Sequence, residues 1–324
     1  MKVFSALNVF WMLTVATASA GQYTPDFTGA RRPNGPDFIS AVRTAAPVAA
    51  ASGPEAVMPI TYLGTEAYNP TPGRDDSPEP GGAMDKNVFT GNNRGKVTST
   101  EFPWRAIGRL NVTKGHCTAS LVAKDLIITN AHCVLDKSSG TITDWNITFL
   151  PNYIDGKSAY SSGIARAWWS NTDDWALLRL EKPLGDTLGW LGIRILADPR
   201  NETLFAVSYS EDLYSGLSAS WQKGCTITSG PTSYGQLRHN CSNSRGSSGS
   251  PLFRFEEKDG QKSPRIIAIH AAELRYDGDS TYTGVEYSDN KANLAVPAEK
   301  FLNAINENDK AAPAAAAKAA PGSR

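Results

Sequence analysis

The chain has 324 residues, 40% of them hydrophobic, with 28 glycines and 20 prolines, enough for one large or two medium turn-rich domains with an ample core. Its 32 basic residues balance 32 acidic ones, so no net basic field directs it to nucleic acid or to an anionic membrane.

The N-terminus has the features of an export signal. Lys2 supplies a positive start, Val3 to Val15 is mostly apolar, and Ala18-Ser19-Ala20 is a small-residue cleavage site, so residues 1–20 are assigned as a signal peptide. The stretch is short for a membrane anchor and is interrupted by Ser5, Asn8 and Thr14. The mature protein is expected to be soluble, away from membranes and outside the cytoplasm, extracellular or periplasmic. Residues 21–87 are rich in Pro, Gly, Ala and charge, as in Arg31-Arg32-Pro33-Asn34-Gly35-Pro36, with little periodic apolar pattern. Such a segment cannot bury enough apolar surface to offset the ordering of its backbone, and it reads as a propeptide or disordered leader.

From Val88 the pattern becomes that of strands. Runs at Arg105 to Val112, Ala119 to Thr129, Asn146 to Pro151, Trp175 to Leu180 and Leu204 to Tyr209 are followed by Cys225 to Ser229, Pro251 to Phe255, Arg265 to His270 and Asn293 to Val296. Gly, Pro, Asn and Asp clusters separate them, which predicts an all-β sandwich or barrel over residues 88–308. Pro297 to Asn306 is predicted as a C-terminal helix, because Phe301, Leu302 and Ile305 recur at helical spacing. Residues 309–324 read as a disordered Ala/Pro-rich tail.

Four cysteines suit an oxidising compartment and allow three pairings. The sequence alone does not choose, but the local setting favours Cys117 with Cys133 and Cys225 with Cys241. The first would tether the segment that holds His132.

Three short segments carry chemistry: Thr129-Asn130-Ala131-His132-Cys133, Asp174-Trp175-Ala176-Leu177-Leu178, and Gly246-Ser247-Ser248-Gly249-Ser250-Pro251. A serine hydroxyl attacks poorly unless a neighbouring base takes its proton, and glycines beside it let backbone N–H groups approach a reacting carbonyl. Ser248 is the candidate nucleophile, His132 the base at the end of an apolar run, and Asp174 the carboxylate that orients it. Asp173 is the competing carboxylate. The amides of Gly246 and Ser248 are the candidate oxyanion donors. A GxSxG elbow is excluded because Ser250 stands two places after Ser248. No Cys/His spacing suggests a metal site, and neither a metal nor an organic cofactor is expected.

These motifs, with His239-Asn240-Cys241, Ile269-His270 and Phe102-Pro103-Trp104-Arg105-Ala106-Ile107-Gly108, resemble the chymotrypsin-fold (trypsin-like) serine peptidases, and within them the bacterial glutamyl-endopeptidase-like branch. The resemblance runs from about Val88 to Asn306. It implies two antiparallel Greek-key six-stranded β-barrels with the active site between them, and a His132-Asp174-Ser248 triad. It also marks Asn243, His270 and Glu273 as candidates for the pocket that holds the residue before the scissile bond. Departures from the pattern matter as well. Trypsin has an aspartate before the nucleophile that pairs with the amine freed on activation, whereas this chain has Ser247. Glu273 would repel an acidic substrate side chain, and Ser242 replaces the aspartate of basic-specific members, so the side-chain preference stays open.

The chain is therefore expected to be a secreted serine endopeptidase, made as a precursor, that acts as a monomer on protein or peptide substrates through an acyl-enzyme. Two alternatives are an inactive binding protein on the same fold and an esterase on another fold; the intact triad disfavours the first, motif order and Ser250 the second.

Overall fold

The computed structural model describes residues 39–42, 64–68, 89–258, 260–274 and 286–310. The expected signal peptide, most of the leader and the tail beyond residue 310 lie outside the described residues.

Three short strands come first: β1 (Ile39–Val42), β2 (Gly64–Thr65) and β3 (Gly95–Lys96). The next six are β4 (Ile107–Val112), β5 (Gly115–Leu121), β6 (Leu126–Thr129), β7 (Thr148–Pro151), β8 (Ser162–Ser170) and β9 (Trp175–Leu180). They close into an antiparallel ring in the order β4-β5-β6-β9-β8-β7. After the single turn of α2 (Gly185–Leu188) and β10 (Gly192–Arg194), a second set of six follows: β11 (Thr203–Ser208), β12 (Ser220–Ser229), β13 (Leu237–His239), β14 (Pro251–Lys258), β15 (Gln261–Glu273) and β16 (Asn293–Pro297). These close in the order β11-β12-β13-β16-β15-β14. In each ring the fourth strand returns to lie beside the first, which is the Greek-key connection. Both six-stranded barrels expected from the resemblance are present.

The predicted run Ala119 to Thr129 is two strands. Lys124 and Asp125 sit in the reversal between β5 and β6, where Val122 N–H bonds to the Leu126 carbonyl at 2.9 Å. The predicted helix begins later and runs further, as a 3-10 turn at Ala298–Lys300 and then α3 (Leu302–Lys310). Its apolar stripe is buried as the spacing requires: Phe301, Leu302 and Ile305 are at most 2% exposed. Arg179 on β9 donates to the Asn308 carbonyl at 2.5 Å, so the last helix fastens to the first barrel.

Two stretches inside the expected leader also carry strands. β1 pairs with β8, and β2 pairs with β10. The second contact continues at Tyr68, whose amide and carbonyl exchange hydrogen bonds of 2.9 Å with Trp190. Main-chain pairing to strands already formed holds these segments, which an apolar-pattern reading does not register.

Large aromatic side chains fill the seam between the barrels. Trp104, just before β4, packs against Trp221 and Phe253 of the second barrel with ring centroids 6.1 and 6.4 Å apart. Each is at most 1% exposed, so each contributes on the order of 2 kcal/mol of burial. His132, Asp174 and Ser248 lie along this seam.

Candidate active site

The base comes from the first barrel. β6 ends at Thr129, and His132 follows that end, as expected, in the single turn of α1 (Ala131–Val134). Cys133, its neighbour, is disulfide-bonded to Cys117 on β5. Asp174 precedes β9, the strand paired with β6, so sheet pairing alone brings it beside His132. Its carboxylate accepts the His132 amide at 3.0 Å and approaches Nδ1 at 2.9 and 3.1 Å. Asn130 Nδ2 donates to the Asp174 carbonyl at 2.8 Å. Asp174 is 3% exposed and has φ of +58°, a left-handed conformation that costs a non-glycine residue about 1 kcal/mol. Asp173 turns elsewhere, pairing with Lys300 at 3.0 Å.

Ser248 Oγ lies 2.8 Å from His132 Nε2. A carboxylate only accepts, so Nδ1 carries the proton and Nε2 is left to accept from the serine hydroxyl. Residues 42 and 116 positions from His132 thus meet at its two nitrogens.

The second barrel presents Ser248 from an irregular stretch before β14. Ser247 N–H bonds to the Ser244 carbonyl at 3.0 Å, closing a tight turn whose third residue, Gly246, has φ of +87°. A side chain there would be strained and would meet His116 Nε2 and the Tyr209 carbonyl at 2.4 Å. Among the described residues the amides of Gly246 and Ser248 have no acceptor, whereas those of Ser247, Gly249 and Ser250 bond within the protein. They are therefore available to an incoming oxygen.

Thr118 on β5 braces this loop from the opposite barrel. Its amide donates to the Ser248 carbonyl at 2.8 Å and its hydroxyl to the Gly246 carbonyl at 3.0 Å. His116 on the same strand bonds the Tyr209 carbonyl at 2.7 Å, and burial holds its imidazole below the usual histidine range. No sequence spacing marks Thr118 or His116 for this work.

His270 on β15 supports the other flank. Its carbonyl accepts the Gly249 amide and its own amide donates to the Ser250 carbonyl, each at 2.9 Å. The imidazole is buried, with Nδ1 3.2 Å from His239 Nε2. His239 Nδ1 accepts the Cys241 amide at 3.2 Å, so its proton sits on Nε2 and points at His270. His270 Nδ1 must then accept, which leaves Nε2–H as a fixed donor. Burial lowers both rings, His239 to about 3 and His270 well below its ordinary value, where the charges of His239 and His132 also act. Of the other pocket candidates, Asn243 is buried with Nδ2 3.4 Å from the Cys241 carbonyl, and Glu273 is half-buried three residues beyond His270. The second disulfide joins Cys225 and Cys241 inside the second barrel.

A family model described as a trypsin-like peptidase domain matches residues 117–259, the span that holds all three side chains. The chain is similar to the trypsin-like serine endopeptidases. The glutamyl endopeptidase of Bacillus licheniformis is 28% identical to it over 236 residues, covering 69% of this chain and 73% of its own length. A protein of Bacillus subtilis named extracellular metalloprotease is 27% identical over 206 residues, 57% of this chain and 60% of its own. A solved Glu endopeptidase in complex with MPD is similar in fold with a TM-score of 0.54 at 21% identity, over 69% of this chain and 99% of that one. In the peptidase, the group of potential metal ligands found among the described residues is Cys117, His132 and Cys133, and both sulfurs are committed to a disulfide. That donor set does not suit a metal ion.

Proposed function

We propose that the peptidase cleaves peptide bonds through an acyl-enzyme, with Ser248 as nucleophile, His132 as general base and then acid, and Asp174 orienting the imidazole and stabilising its cation. The observation that carries this reading is the unbroken path Asp174–His132–Ser248, with contacts of 2.9 and 2.8 Å. As Oγ attacks, its proton passes to His132 Nε2, and the developing oxyanion takes the Gly246 and Ser248 amides. His132 then protonates the leaving amine, and water deacylates the serine by the same route in reverse.

The donor at His270 Nε2, supported from behind by His239, fits a pocket for a side chain that accepts a hydrogen bond. Glu273 works against a full negative charge there. Export before maturation is read from Lys2 to Ala20, and no helix among the described residues is long and apolar enough to cross a membrane.

Peptide turnover and fluorophosphonate labelling of the full chain test the reading together. Labelling at Ser248 and cleavage lost in Ser248→Ala are expected. An unreactive wild-type chain would refute it and favour a binding protein on the same fold.

A further inference from the structure

Ser247 carries no charge, so an ion pair with a freed amine cannot fasten the turn that offers the oxyanion donors. We propose that Arg94 does this instead, as a positioning residue that fastens the Ser244–Ser247 turn from within the chain. The inference rests on the peptidase reading above.

Arg94 lies just before β3, which is pinned to β12 through Gly95 and Lys96. Its side chain is 1% exposed, and Asn92 Oδ1 accepts its amide and Nε at 3.0 and 3.3 Å. Two arms leave the guanidinium. In one, Nη1 donates to Ser210 Oγ at 3.1 Å, and Ser210 Oγ lies 2.5 Å from Ser247 Oγ. In the other, Nη1 and Nη2 reach the Asp212 carboxylate at 3.3 and 2.5 Å, and that carboxylate accepts the Ser244 hydroxyl at 2.7 Å. One cation therefore holds both ends of the turn that aims the Gly246 and Ser248 amides. Ser210 and Ser247 are fully buried, so water does not replace the bonds of the first arm, whereas the Asp212 carboxylate of the second is open to solvent. A lysine has one point charge where the fork serves two directions.

A guanidinium carries its charge at every physiological pH, so this fastening does not depend on a newly freed amine.

The test uses the full chain carrying Arg94→Met, Arg94→Lys, Ser210→Ala or Asp212→Asn. For each, kcat, KM, the unfolding midpoint and the affinity of a peptide aldehyde, whose adduct places an oxyanion on the two amides, are measured. Arg94→Met is expected to lower kcat about 10- to 100-fold, since small misplacements cost this much. Aldehyde affinity should fall in parallel while KM moves less than about threefold, and Arg94→Lys should recover only part of the loss. A purely structural arginine would shift the midpoint and leave kcat and aldehyde affinity of the folded fraction unchanged, which overturns the proposal. If Arg94→Met does not fold, Ser210→Ala and Asp212→Asn decide: lowered kcat at an ordinary midpoint supports it, unchanged kcat overturns it. An inactive wild type, by contrast, refutes the peptidase reading itself.

Discussion

The two barrels share one strand order but hold the side chains of the proposed triad by different means. In the first, regular structure does the placing: β6 and β9 are paired, and His132 and Asp174 stand at their ends. In the second, Ser248 comes from a stretch with no strand or helix, so distant groups must hold it: Thr118, His270 and the Ser210–Asp212 segment. A general base tolerates a rigid strand end. A nucleophile flanked by two converging amides needs a backbone shape that neither strand nor helix provides, and side-chain bonds stabilise that shape.

The largest effect expected on this comparison is loss of the transfer path itself. Ser248→Ala and His132→Ala should each reduce kcat by roughly a million-fold, and the double variant by no more, because the residues act as a unit. Asp174→Asn should cost about ten-thousand-fold by presenting the wrong tautomer of His132. Losses that simply multiply in the double variant would show that the two side chains act independently.

A smaller loss tests the cross-barrel brace. Thr118→Val removes the hydroxyl that serves the Gly246 carbonyl and the Tyr209 amide, each at 3.0 Å. A drop in kcat of about 10- to 100-fold is expected with KM little changed. If KM alone rises, Thr118 shapes substrate binding and the brace is misassigned.

The disulfides separate the barrels further. Both span 16 positions, so removing either should cost about 3 kcal/mol in denaturant unfolding. Only the first flanks His132. Cys117→Ser with Cys133→Ser should therefore lower activity in protein that is still folded, and Cys225→Ser with Cys241→Ser should not.

The smallest effect concerns acid. His239 is neutral in the fold, with its titration moved by burial to about 3, while an unfolded histidine takes up a proton near 6.5. The unfolded chain binds more protons between those values. The stability from this group is thus whole above 6.5 and is lost as pH falls toward 3. His239→Gln should flatten that slope by about 1.4 kcal/mol per pH unit. An unchanged slope would mean that His239 is charged in the fold.

That His132, Asp174 and Ser248 would meet was legible in the sequence, because nucleophilic chemistry restricts residue type around each of them. The sequence also showed β9, whose run Trp175 to Leu180 is almost wholly apolar. It hid β8, where Arg166 and small residues dilute the pattern, and β13, which is only three residues long. Arg94, Thr118 and Ser210 had no local signature at all. Their partners across the loop and the barrels lie 37 to 128 positions away, and only the closed fold brings them together.

The fastening of α3 to β9 has a consequence in time. A chain made from its N-terminus completes the first barrel well before residues 300 to 308 emerge, so the clasp formed by Lys300 with Asp173 and by Asn308 with Arg179 can close only after the second barrel has been made. A molecule halted after the first barrel has neither that clasp nor Ser248. Any cutting power is thereby deferred until the second barrel has been delivered.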